Sequence, residues 1–301
     1  MKYLIGLDGG GTKMAALLTD LDGNIIRSAK FGPSNVHDMG LEAFGERLRE
    51  IPEALGIDDV NDVAALFAGL AGSTGKRFEV NAMLEAIFPK ARVHNGNDAE
   101  NILWAGLGAG DGCGMISGTG SICYARVNGE LNRIGGWGWM FDPAGSGYDL
   151  GRDAVFACMR EHDGRDGHTV LSDLFVEKFG SSIIDNMGEV YAKGKTFVAS
   201  FAPMVFEAYR RGDRKATEIM EKTAYALAEM IIRASKFYDG SFRAVLAGSI
   251  LTKEPEMAEL VKKMTPSQAV VTVLDKEPVE GAIEAAKWLL TVDKMPKILN
   301  L

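Results

Sequence analysis

The chain opens on a short apolar run, "KYLIGLDG", that stops at glycine, the pattern of a buried strand. "TKMAALLTDLDGNIIRSAKF" carries two strand-like runs on either side of Asp22-Gly23, a dipeptide suited to a tight hairpin turn. Leu41, Phe44, Leu48 and Ile51 then fall at helical spacing. "DVAALFAGLAG" predicts a second buried strand, "RFEVNAMLEAIF" a helix, "ARVHNGND" a short strand running up to an acid, and "AENILWAGL" the start of a helix. After that the plan restarts. "DGCGMISGTGSICYARVNGELNR" reads as strand, glycine turn, strand, turn at Asn128-Gly129, strand. "LDGGGTKMAALLTDLDGN" and "ISGTGSICYARVNGE" share that order, which points to a duplicated α/β unit. From Leu150 to about Asp239 the apolar positions recur at i, i+3, i+4 and i+7, so this stretch is helical. "FRAVLAGSI" and "QAVVTVL" return to strands, and "PVEGAIEAAKWLL" closes with an amphipathic helix.

Composition narrows the class of molecule. The 301 residues are 47% hydrophobic and 25% charged, which suits one large or two smaller globular domains. The net charge of −8 sets the surface against nucleic acid and anionic lipid, so neither is an expected partner. No apolar run approaches the roughly 20 residues of a membrane helix, and the start of the chain does not read as a signal peptide. Cys113, Cys123 and Cys158 form no C-x-x-C pair; they suit a reducing, cytoplasmic setting better than a disulfide framework or a zinc site.

Three glycine-bearing strand ends stand out. In "LDGGGTK", Asp8 closes a strand and Gly10, Gly11, Thr12 and Lys13 follow. The next segment reads as a strand, so this is neither the dinucleotide loop nor G-x-x-x-x-G-K-[ST]. A strand–glycine–strand hairpin can still let backbone N–H groups converge on a phosphate, with Asp8 positioned for Mg²⁺, directly or through water. A bare tight hairpin is the alternative. "SGTGS" repeats the device through Gly118, Thr119, Gly120 and Ser121, and Gly248 and Ser249 end a third strand against which a nucleoside could lie. Asp98 lies at a strand end, where a carboxylate faces the ligand crevice of an α/β sheet and could take a hydroxyl proton. The same acid also reads as a helix N-cap. Asn35 in "GPSNVH" and the glycine–aromatic stretch holding Gly136, Trp137 and Asp142 are candidates for binding a sugar.

Taken in order, "GLDGGGTK", "GPSN", "NDA", "ISGTGSIC", "GGWG" and "LAGSI" resemble the motifs of the BadF/BadG/BcrA/BcrD ATPase family, within the actin/hexokinase/Hsp70 ATPase superfamily. Its best-known sugar-active members are N-acetylglucosamine kinases. The resemblance implies an α/β fold of two ribonuclease-H-like, actin-like domains with a nucleotide cleft between them and a helical insertion in the second. The expected boundaries are 1–104 plus a C-terminal helix at 286–301, and 105–285 with the insertion around 150–239. It also implies ATP and Mg²⁺ as cofactors, Asp98 as catalytic base and sugar ligand, Asn35, Gly136 and Trp137 on the sugar, and Gly248 and Ser249 on adenosine. The family's kinases usually carry G-D-E-G-S after GGWG. Here the stretch is Asp142-Pro143-Ala144-Gly145-Ser146, which lacks the Glu and carries its acid one place earlier. The expected activity is phosphorylation of an amino-sugar hydroxyl, and a homodimer is expected because closed two-fold dimers are the commonest oligomers. The alternative is an ATPase that activates a dehydratase or reductase through an iron–sulfur cluster. Cys113 and Cys123 flank the second glycine loop in strand positions, which are poor cluster ligands, and Cys158 alone supplies too few.

Overall fold

The computed structural model describes residues 1–293 apart from Thr12 and Thr74. The chain forms two compact units, Met1–Gly110 with the segment from Leu274 onward, and Asp111–Val273. In the first, β1 (Tyr3–Gly9), β2 (Met14–Asp20) and β3 (Ile25–Phe31) are followed by α1 (Val36–Met39), α2 (Leu41–Arg49), α3 (Ile51–Ala54), β4 (Val63–Leu70), α4 (Arg77–Ile87), β5 (Arg92–Gly96) and α5 (Asp98–Leu107). The second runs β6 (Gly112–Ser117), β7 (Ser121–Val127), β8 (Glu130–Ile134), α6 (Gly147–His162), α7 (Val170–Phe179), α8 (Met187–Ala199), α9 (Ala202–Arg210), α10 (Arg214–Ala234), β9 (Phe242–Ala247), α11 (Ser249–Thr252), α12 (Pro255–Met264) and β10 (Ala269–Val273). The chain then returns to the first unit with α13 (Pro278–Leu289).

The two sheets share one plan. The first has the order β3-β2-β1-β4-β5, antiparallel from β1 to β3 and parallel from β1 to β5. The second has the order β8-β7-β6-β9-β10, antiparallel from β6 to β8 and parallel from β6 to β10. Asp8 near the end of β1 and Ser117 at the end of β6 thus occupy matching places, each just before a hairpin into its antiparallel neighbour. The central strands are apolar on both faces because helices cover both. In the first unit, Ile5, Leu7, Leu66 and Phe44 fill one layer, and Leu4, Phe67, Trp104 and Ile283 the other. In the second, Met115, Leu246, Leu150 and Leu227 belong to one large core with the helices of the 150–239 region.

The expected domain boundaries move. A break at 104 would cut α5, whose buried residues run to Leu107. The terminal helix starts at Pro278 rather than 286, with Pro in its first turn and a capping box from Glu277 to Glu280. Its whole length packs against the first unit. A Cβ at Gly281 would lie 1.9 Å from the Asn101 carbonyl oxygen, so the close crossing of α13 over α5 depends on that glycine. Residues 294–301 of the expected helix lie outside the described residues.

Candidate active site

In the first unit the chemistry gathers at the C-terminal ends of β1, β4 and β5, where an α/β sheet presents its ligand crevice. Asp8 pairs in register with Ala15 of β2 and Gly69 of β4. Its Oδ1 accepts a hydrogen bond of 2.7 Å from Asn101 Nδ2, which also reaches the Leu7 carbonyl at 3.1 Å. Burial pushes the Asp8 carboxyl above the ordinary carboxylate range, while Asn101 and the charge of Lys13 oppose that shift. The Gly10 N–H closes the hairpin on the Lys13 carbonyl at 2.9 Å, and the Gly10 carbonyl accepts the Ser34 N–H at 3.0 Å. A Cβ at Gly11 would meet nothing within 4 Å. The turn therefore does not need glycine there, and an open surface suits approach by a ligand. Thr12, expected in this loop, lies outside the described residues.

Asp98 is the first residue of α5. The cap is Asn97, whose side chain accepts the Ala99 N–H at 2.9 Å. Glu100 Oε1 answers by accepting the Asn97 N–H at 2.9 Å and also pairs with Arg77 at 2.9 Å. With those roles filled, the Asp98 carboxyl accepts one N–H of its own helix start, from Ala99 at 3.1 Å. It is partly accessible yet surrounded by protein. Burial first, then the negative charge of Asp8, pushes its pKa up to about 6. Asp98 and Asn101 are three residues apart and share a helix face, so one turn of α5 carries both the acid and the residue that orients Asp8.

Two hard carboxylates within electrostatic reach, one of them held by a neutral amide, form a donor set suited to a divalent cation that keeps most of its waters. Among the described residues no cluster of three or more His, Cys, Asp or Glu could hold a metal. That is compatible with Mg²⁺, which needs only one or two protein carboxylates when phosphates supply the remainder.

Asn35 is not simply poised for a ligand. Its Oδ1 caps α1, accepting the N–H groups of His37 at 2.9 Å and Asp38 at 3.4 Å, which leaves the amide Nδ2 for any sugar.

In the second unit the loop after β6 is held by its carbonyls. Gly118 O accepts the Gly147 N–H at 2.7 Å and Thr119 O the Tyr148 N–H at 3.4 Å, both from the first turn of α6. The Thr119 and Gly120 N–H groups make no hydrogen bond among the described residues, the arrangement an anion-binding loop requires. The start of α6 is fixed by a Ser146–Asp149 capping box, and Ser117 Oγ donates to the Gly145 carbonyl at 2.7 Å. Gly248 has φ +85°, and a Cβ there would lie 2.2 Å from the Ser117 carbonyl oxygen. Only glycine lets β9 end so close to the loop, and Ser249 follows with its Oγ 3.8 Å from where a Gly118 Cβ would sit. The second-unit nucleotide candidates, 131 residues apart from Gly118 to Ser249, therefore meet.

A model of the BadF/BadG/BcrA/BcrD ATPase family matches residues 5–288. The chain belongs to this family. A curated relative, the N-acetylmuramic acid/N-acetylglucosamine kinase of Clostridium acetobutylicum, is 34% identical over 236 residues, 75% of this chain and 77% of its own length. The glucosamine kinase GspK of Vibrio cholerae is 26% identical over 292 residues, covering 94% of this chain and 95% of that one. Among solved structures, one from Chromobacterium violaceum assigned as an N-acetylglucosamine kinase aligns with a TM-score of 0.73 at 22% identity, over 96% of this chain and 99% of that one. A ROK family glucokinase from Streptomyces griseus, crystallised with glucose and AMPPNP, aligns at 0.63 and 17% identity, over 96% of this chain and 100% of that one. At those identities the structures establish the shared fold.

Within this BadF/BadG/BcrA/BcrD chain, the atypical DPAGS stretch has a structural task. Asp142 Oδ2 accepts the Trp137 N–H at 2.9 Å, so the acid braces the GGWG turn. Trp137 is 70% exposed, with the Arg133 guanidinium 4.2 Å over its ring. Gly136 has φ +74° and packs on Ile122. Asn101 was not among the sequence candidates, although its i+3 spacing from Asp98 was a readable signal. All three cysteines are buried; the hydrogen bond with Cys113, then burial, raises the Cys123 thiol, and burial pushes the Cys158 thiol up to about 12. Among the described residues no helix is long and apolar enough to cross a membrane.

Proposed function

We propose that this chain is an ATP-dependent kinase that phosphorylates a hydroxyl of an amino sugar, with N-acetylglucosamine and glucosamine as first candidates. The observation that carries the reading is Asp98: a carboxyl at the start of α5, beside Asp8, with its pKa raised to about 6. At neutral pH such a group is ionised yet more basic than a surface carboxylate, which is what a general base for a sugar hydroxyl needs. Asp98 accepts the hydroxyl proton. Asn101 holds Asp8 in place, and Asp8 would hold Mg²⁺, directly or through water, where the ion would supply positive charge to the phosphates. Gly10, Gly11, Thr12 and Lys13 in one loop, and Gly118, Thr119, Gly120 and Ser121 in the other, offer backbone and side-chain donors to the phosphates. Gly248 and Ser249 lie beside the nucleoside. Asn35 Nδ2 and the Gly136–Trp137 turn, braced by Asp142, contact the sugar. We also assign the protein to the cytoplasm and to a homodimer, the latter to be checked by light scattering.

A coupled ADP-release assay over glucosamine, N-acetylglucosamine, N-acetylmuramate, N-acetylmannosamine and glucose tests the reading. Turnover is expected on an amino sugar, and silence across the panel refutes it. The activator alternative requires cysteine thiolates for a cluster, and buried thiols with raised pKa are poor donors. A brown preparation absorbing near about 400 nm would favour that alternative.

A further inference from the structure

We propose that Lys195, from the helical region of the second unit, is a ligand of the ATP γ-phosphate. The inference rests on the kinase reading above and adds a residue that lies outside the motifs.

Helix α8 is interrupted at Gly194, where φ is 65° and ψ −154°. A continuous helix would carry Lys195 onward along the axis of 187–193. The break turns the chain instead, and a Cβ placed at Gly120 would lie 3.9 Å from Lys195 Nζ. The ammonium therefore stands against the exposed glycine of the second phosphate loop, whose neighbouring N–H groups are unpaired among the described residues. Lys195 forms no ion pair and no hydrogen bond with any described residue, whereas nearby cations are neutralised. Lys193 pairs with Glu189, and Arg152 with Asp149 and Asp153. Lys195 also lines a cavity of about 320 Å³ together with Tyr148, whose N–H tethers the same loop. An unpaired, half-buried ammonium beside open loop amides is complementary to an oxyanion. Ser249 marks the Gly118 end of the loop, where the nucleoside is assigned. Lys195 marks the Gly120 end, so its partner is the phosphate farthest from the nucleoside.

The test is calorimetric binding of Mg·ATP, Mg·ADP and AMP to the full-length protein and to K195Q, K195R and K193Q. We expect K195Q to weaken ATP by about 10-fold or more, ADP by less and AMP hardly at all. K195R should recover most of the loss, and K193Q should match wild type. Lys195 has no partner to lose, so the variants should melt with wild type; a K195Q that unfolds would itself contradict the assignment. Equal ATP affinity in wild type and K195Q overturns the proposal. So does a K195Q defect confined to the KM of a carboxylate-bearing sugar, which would make Lys195 a sugar ligand. Wild type that binds no ATP overturns both this and the kinase reading. Lys195-dependent ATP binding without turnover on any sugar would leave the proposal standing and remove the kinase reading alone.

Discussion

Replacing Asp98 by Asn should make the protein more stable and nearly inactive, and the stability gain should depend on pH in a way fixed by the site. The folded state holds the Asp98 carboxyl with a pKa of about 6, against an ordinary value of 3.8. Folding therefore favours the protonated form. The stability associated with this group is fully present below the unfolded pKa and is lost as pH rises through the folded pKa. A shift of that size corresponds to at most about 3 kcal/mol, and partial solvent access reduces the expectation to about 1–3 kcal/mol. Asn carries no charge to desolvate, so D98N escapes the loss. In metal-free buffer without nucleotide, the melting temperature of D98N should exceed that of wild type by a few degrees above pH 7. By the same linkage, roughly a third of that difference should remain at pH 4.5. Sugar phosphorylation by D98N should fall by roughly 10²–10⁴ in kcat, the usual size of a lost general base. The assays are differential scanning fluorimetry across pH 4.5–8 and coupled ADP release. A melting difference that does not change with pH would show that Asp98 is not held in a raised-pKa environment. Activity within threefold of wild type would remove it from the chemistry.

Three further outcomes follow from the same geometry. Asn101→Ala leaves the Asp8 carboxyl without its donor and a gap beside Gly69; we expect a loss of about 1–3 kcal/mol in chemical denaturation and a raised Mg²⁺ requirement in the kinase assay. Gly248→Ala adds a Cβ at positive φ that would meet the Ser117 carbonyl; the KM for ATP should rise at least about tenfold while the KM for sugar moves little, read from initial rates. Asp142→Asn keeps an acceptor for the Trp137 N–H and should stay near wild type, whereas Asp142→Ala should raise the sugar KM; equal damage from both would mean that the carboxylate itself touches sugar.

Most of the fold was readable because its strands are short apolar runs ended by glycine, and because the turn dipeptides at Asp22-Gly23 and Asn128-Gly129 mark hairpins by their conformational needs alone. Local signals of that kind survive in a linear sequence. The site was readable only as far as its residues sit beside such signals. Asp8 and Ser117 end strands, and Asp98 begins a helix. Their partners are set by packing. Whether Asp98 or Asn97 caps α5 depends on which side chain the Glu100–Arg77 pair allows to turn back, and Arg77 comes from another helix. Asn35 is partly spent on its own helix, a short-range bond that competes with any ligand. Lys195 is the extreme case, because it meets Gly120 across 75 residues through a break at Gly194 that helical periodicity does not announce. This difference has a consequence for specificity. The motif residues of the two glycine loops are proposed to handle the nucleotide. Lys195, by contrast, is supplied by packing and is recognisable only in the folded chain. The proposed sugar contacts include the Trp137 turn, which Asp142 of the DPAGS stretch braces. Sugar preference should therefore respond to substitutions around Trp137 and Asp142 while Mg·ATP affinity does not, and a mutant panel in which both always change together would show that the two functions are not separable in this chain.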